Sequence, residues 1–182
     1  MGDPDMSGWA ADWRAAADQL QLQRADLTAL SGRLIDSSWL VWNEEHDEWF
    51  ADLPVVLNLD DGRQLEVSWQ KFDELSITWN TIDTQVSPRW PWPYWPLSWR
   101  RAGHPALLAN EGSRIIGVAA TMHRFVTTQV EPPTGERAEV WLTSALWLQT
   151  TGPGLHIFNA LDENGLSDTA PATSEDLRSS PL

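Results

Sequence analysis

A chain of 182 residues, 42% hydrophobic and 21% charged, has the size of one domain and the apolar content for its own core, which excludes a disordered or fibrous protein. Its formal net charge of −14 repels nucleic acid phosphates and anionic lipid, so the expected partner is a basic protein, with no nucleic acid and no membrane. The lack of cysteine removes disulfides, thiolate metal sites and cysteine nucleophiles together.

The opening residues, MGDPDMSGWAADW, have no basic region followed by an apolar run, so they do not read as a secretory signal. No stretch approaches the ~20 apolar residues of a membrane span, and a cytoplasmic location is expected. Residues 1–8 are expected to be flexible. Residues 9–31 read as one amphipathic helix, because Trp9, Trp13, Ala16, Leu20, Gln23, Leu27 and Leu30 recur at steps of four and three. Ser7 is a candidate cap and Gly32 a candidate stop. Three heptads with a glutamine in the seam make a weak coiled coil. Packing within the monomer is therefore favoured over homodimerisation through 9–31.

After the helix the pattern turns to strands. LPVVLNLDDGRQLEVSWQ (53–70) places two alternating runs around Asp61-Gly62, the pairing a tight hairpin turn needs. Further strands are expected in 34–42, 74–80, 113–125, 138–149 and 154–162. Gly62, Leu65 and Val67 recur ninety positions later as Gly152, Leu155 and Ile157. Asp73-Glu74 recurs as Asp162-Glu163. The expected fold is α+β, one N-terminal helix on a mostly antiparallel sheet; the echo fits either two similar hairpin units or hairpins that share turn chemistry by convergence, and the second is favoured. Residues 9–167 form the domain, and 168–182 have the composition of a disordered acidic tail.

Chemistry needs a base, a nucleophile or a metal in fixed relation to a substrate. His46 lies among Glu44, Glu45, Asp47 and Glu48, but neighbouring positions on a strand point to opposite faces. A solvated acidic loop is expected there in preference to a metal site. His104, His123 and His156 lie in no nucleophile motif, and the chain has no GxSxG, P-loop or strand-linked GxGxxG. No catalytic residue, metal or cofactor is assigned, and the protein is not expected to be an enzyme. An enzyme of unspecified reaction stays open as an alternative.

RWPWPYWPLSWRR (89–101) is the most unusual stretch. Its prolines remove backbone donors and disfavour helix and central strand, which predicts an extended backbone with rings thrown in different directions. It resembles the tryptophan/proline/arginine-rich membrane-active peptides of the indolicidin type, over about thirteen residues and in composition. That resemblance implies membrane attack, which the acidic surroundings oppose. A core-completing connection is one reading, and a stacking platform for sugars, as in a carbohydrate-binding module, is another. A third makes the rings anchors for a protein partner, since tryptophan, tyrosine and arginine dominate interface hot spots.

Charge is segregated along the chain. Eight carboxylates and no basic residue lie between Arg33 and Arg63, whereas Arg89, Arg100 and Arg101 lie in a stretch without acids. Either the two segments meet in the fold or the acidic arc docks on a cationic surface. The function expected is a non-catalytic, immunity-type toxin-neutralising or regulatory inhibitor. Glu44, Glu45, Asp47 and Glu48 would contact the basic partner, with Trp90, Trp92, Trp95 and Trp99 as apolar anchors.

Overall fold

The structure, a computed structural model, describes residues 8–89, 95–129 and 135–182. Strands hold 49% of the chain and helices 10%, so the class is a β-rich α+β fold. The first sheet contains β1 (Arg14–Ala15), β2 (Ile35–Asn43), β3 (Glu48–Trp49), β4 (Val55–Leu59), β5 (Gln64–Gln70), β6 (Glu74–Trp79) and β7 (Leu97–Arg101). Its order is β1-β6-β5-β4-β2-β3, with β7 on the other side of β2. The second contains β8 (Ile115–Thr128), β9 (Arg137–Thr150), β10 (Leu155–Asn159), β11 (Asn164–Ser167) and β12 (Leu177–Pro181), ordered β11-β10-β9-β8-β12. All pairings are antiparallel. The helices are short: α1 (Ala16–Leu22), α2 (Arg24–Thr28) and α3 (Pro105–Leu108).

The single helix expected over 9–31 is not what forms. Tertiary partners claim its first third: the Trp9 indole donates to Thr78 Oγ1 at 3.1 Å, and Asp12 N–H to Ser76 Oγ at 3.0 Å. Arg14 and Ala15 then pair with Leu75 and Glu74 as an edge strand. The rest breaks at Gln23 (φ −88°, ψ 3°), whose side chain accepts from the Trp79 indole at 3.0 Å. Ala16, Gln19, Leu20, Leu27 and Leu30 remain buried at near-helical spacing, in contact with this chain's own sheets. The tail also differs from its compositional reading, since Leu177–Pro181 pairs with β8. Backbone pairing and the Arg124–Asp176 ion pair at 2.7 Å hold it, neither of which composition can reveal.

The principal core lies between the two sheets. Leu40, Val55, Leu57, Val67, Trp69 and Ile77 from the first meet Ile115, Leu146, Leu148, Leu155 and Ile157 from the second. Burying each aliphatic side chain contributes about 1.5–3 kcal/mol. The hairpin predicted at Asp61-Gly62 joins β4 to β5, with Gly62 at φ +84° where a side chain would be strained.

The two sheets repeat one plan. The order β6-β5-β4-β2-β7 matches β11-β10-β9-β8-β12 strand for strand. β2 and β8 carry an irregularity at the same place, between Ile35 and Ser37 and between Ile115 and Gly117. Trp39–Asn43 pairs with Arg101–Leu97 just as Ala119–His123, eighty positions on, pairs with Pro181–Leu177. The echo at ninety residues falls on β5 and β10, where Leu65 and Val67 correspond to Leu155 and Ile157. The units meet at a reciprocal set of bonds: Gly32 N–H to Ile115 O (2.8 Å) and Gly112 N–H to Ile35 O (2.7 Å), with Ile35 N–H to Ser113 O (3.0 Å) and Ile115 N–H to Arg33 O (2.8 Å). Exchanging the segments maps this set onto itself, which places a local pseudo-dyad at the Leu34–Arg114 bridge.

Each unit must return its chain from one sheet edge to the other, through residues 80–96 in the first and 168–176 in the second. In the first, Ile82 and Trp95 pack with Val41, Phe50, Leu53, Val56 and Leu97 in a second apolar cluster, against the sheet face turned away from the main core. The start of this connection is pinned by buried Glu66, whose carboxylate accepts from the N–H groups of Thr81 (2.6 Å) and Ile82 (2.8 Å) and from the hydroxyls of Thr78 and Thr81. Glu66→Ala leaves these buried and half-buried donors without their acceptor. Urea unfolding followed by tryptophan emission should show a loss of about 3 kcal/mol. A loss below about 0.5 kcal/mol, the size of an ordinary surface change, means the carboxylate does not anchor the connection.

Candidate functional site

The acidic loop is the tip of the β2–β3 hairpin. Buried Asn43 shapes it, its Oδ1 accepting from Glu45 N–H at 3.1 Å and His46 N–H at 3.4 Å, an arrangement that asparagine favours in turns. Asp47 then takes φ +51°, a left-handed conformation that aspartate tolerates.

Residues 95–100 of the basic aromatic segment lie against this tip, so its described end meets the acidic segment. Arg100 sits 3.7 Å from the centre of the Trp42 ring and donates to Asp47 Oδ1 at 3.2 Å, with Glu44 Oε2 at 3.9 Å. The Trp42 indole donates to the same Asp47 oxygen at 2.9 Å, and the Ser98 hydroxyl donates to Glu44. Glu44 N–H reaches Pro96 O at 3.0 Å. These donors, Trp42 first and Arg100 second, hold the Asp47 carboxyl below its ordinary range. Glu44 and Asp47 are therefore engaged within the fold. Glu45 and Glu48 are exposed and make no ion pair among the described residues. Arg101 is also engaged, by Glu111 at 3.2 Å, and Glu111 further accepts from Ser38.

Of the four expected anchors, Trp90 and Trp92 lie outside the described residues. Trp95 is half-buried, edge-to-face with His46 (5.2 Å) and Phe50 (6.0 Å). Trp99 is half-buried on β7, its indole donating to Val86 O at 3.0 Å. Both pack on the second apolar cluster. Residues 95–100 of the proline-rich stretch thus complete a satellite core and brace the acidic tip.

The histidines lie apart from one another in role. His104 Nδ1 accepts from Ala106 N–H at 3.1 Å, capping α3, and burial pushes its pKa down against the pull of Asp168. His123 lies in β8 opposite Leu142 and Leu177. His156 lies between Trp147, edge-to-face at 6.0 Å, and Phe158, tilted at 5.4 Å, and its Nε2 has no hydrogen-bond partner among the described residues. Burial alone pushes its pKa down, with no contribution from Asp162 or Glu163. Among the described residues no three His, Asp or Glu side chains form a metal-binding group.

One cluster has no counterpart among the sequence expectations: Asp52 lies near enough to Asp162 and Glu163 for their charges to interact. Burial first, then Asp162, raises the Asp52 pKa; burial, then Asp52 and Asp162, raises that of Glu163. The turn at 162–163 was legible, but a partner 110 positions earlier (162 − 52) leaves no local signal. No known protein-family model, curated protein or solved structure matches the chain. Among the described residues no helix is long and apolar enough to cross a membrane.

Two pH effects follow. Asp47 is more acidic folded than unfolded, so its stabilisation is present above its unfolded pKa near 3.8 and is lost as pH falls through the lower folded value. Arg100→Ala should move the Asp47 carboxyl resonance, followed by NMR titration, back toward 3.8. His156 is less basic folded than unfolded, so stability falls as pH drops below 6.5 toward its folded pKa. Denaturation midpoints from pH 7 to 5 should fall less steeply in His156→Phe than in the parent; equal slopes mean the imidazole contributes nothing to the dependence.

Proposed function

We propose that the chain is a non-catalytic protein-binding domain that docks on a basic partner through the β2–β3 tip. As an immunity-type toxin-neutralising or regulatory inhibitor of the cytoplasm, it would occupy a cationic surface and exclude an anionic substrate. The observation that carries this reading is the division of labour within the tip. Glu44 and Asp47 are tied to Ser98, Trp42 and Arg100, while Glu45 and Glu48 stay exposed and unpaired among the described residues. A tip braced in this way loses little conformational freedom on binding. The net charge of −14 adds long-range steering, which raises association rates.

The test begins with capture of partners from the host at low and high salt. Kinetics with the purified partner follow, using Glu45→Gln/Glu48→Gln. A stoichiometric basic partner released by salt is expected. The double variant should associate about tenfold more slowly and with a flatter salt dependence. Unchanged association excludes the tip from the interface, and the lack of any partner at either salt removes the inhibitor reading.

A further inference from the structure

The arm formed by β8 and β9 outgrows its sheet. β10 pairs with β9 only over Ala145–Leu148, and β12 pairs with β8 only as far as His123. Residues 137–143 of β9 therefore have β8 on one side and no strand on the other among the described residues. Natural proteins guard such edges with proline, bulges or lysine. Here the irregularity lies beyond Thr143, and 137–143 (RAEVWLT) contain no proline or lysine, their charged residues being Arg137 and Glu139, the latter 3.6 Å from Arg124.

Two further features lie at this edge. One is apolar: Phe125 pairs across the ladder with Val140, and Phe72 meets the Phe125 ring edge-to-face at 5.2 Å. All three are exposed, Phe72 at 52% and Val140 at 48%. The other is acidic. The turn after β10, where a strand continuing its line would begin, carries Asp162 and Glu163, with Asp52 beside them. The Asp162 carboxylate accepts from Lys71 N–H, and Asn159 donates to the carbonyls of Lys71 and Phe72, so acids and aromatic patch share one framework.

We propose that the free edge of β9 accepts an extended strand from a basic partner, alternating apolar with cationic residues and running in line with β10. Backbone bonds to 137–143 supply the pairing, as in other cases of strand addition. Apolar side chains cover the Phe72–Phe125–Val140 patch, and cationic ones meet Asp52, Asp162 and Glu163. Charge complementarity selects this occupant over a second copy of the chain, which would bring its own acids to the same corner. None of residues 44–48 belongs to this surface, so it stands or falls separately from the hairpin tip.

The test uses the full chain and two labelled ten-residue peptides, one alternating valine with lysine and one alternating valine with glutamate. Binding is read by fluorescence anisotropy and its place by amide hydrogen exchange. The lysine peptide should bind about tenfold more tightly than the glutamate peptide and slow exchange within 137–143. Asp52→Asn/Asp162→Asn/Glu163→Gln, which keeps an acceptor at each position, should remove most of that preference while near-UV circular dichroism stays unchanged. Equal binding of the two peptides, no binding, or protection elsewhere overturns the proposal. So does protection of 137–143 that rises with protein concentration alone, which identifies a second copy as the occupant.

Discussion

The four reciprocal backbone bonds around Leu34 and Arg114 set the arrangement of the rest. They fix where β2 and β8 begin, and each strand then carries its own meander and return strand. The neighbouring bonds obey the same exchange. Asp60 N–H donates to Leu34 O while the Asp60 side chain accepts from Leu34 N–H, and Thr151 does the same for Arg114. A side chain and a backbone group of one residue thus close each bridge position. A crossing bonded from both sides, with Ile35 and Ile115 buried at its centre, holds the sheets in one relative placement.

From that placement follows the use of the two sheet faces. The inner faces share one core, and on the outer face of the first sheet Ile82 and Trp95 of the returning segment pack in the second cluster. Position 66 on β5 corresponds to position 156 on β10, and the two differ in chemistry. Glu66 is saturated by donors from the connection above it, whereas His156 is wedged between aromatic rings with one nitrogen unpartnered. Gly154 and Gly165 allow that wedge, since a Cβ at either would fall 2.2–2.3 Å from the Trp147 or Phe158 ring. One plan thus carries a polar clamp in its first half and an aromatic stack in its second.

The same economy governs charge. Arginines 100 and 101 each meet a carboxylate from the surrounding fold, so the basic aromatic segment does not present a free cationic face at its end. Exposed carboxylates lie at the hairpin tip, on Glu45 and Glu48, and at the corner of Asp52, Asp162 and Glu163. Such a surface favours cationic partners through the field of the whole molecule as much as through any single contact.

What was legible in the sequence was whatever nearest neighbours decide. Alternation marked β2, β4, β5, β6, β8, β9 and β10, Asp61-Gly62 marked a hairpin, and the separation of acids from arginines marked two segments without deciding whether they meet. The ninety-residue echo pointed to positions that prove equivalent in β5 and β10. Tertiary structure decided the rest, because edge pairing and burial depend on groups far away in sequence. Trp9–Ala15 has helical spacing, yet β6 offers it hydrogen-bond partners that a helix start lacks. Leu97–Arg101 and Leu177–Pro181 carry little strand pattern and become strands because β2 and β8 present free edges. Asp52 reaches Asp162 only through the packing of the two units, and no local period encodes a contact across 110 residues.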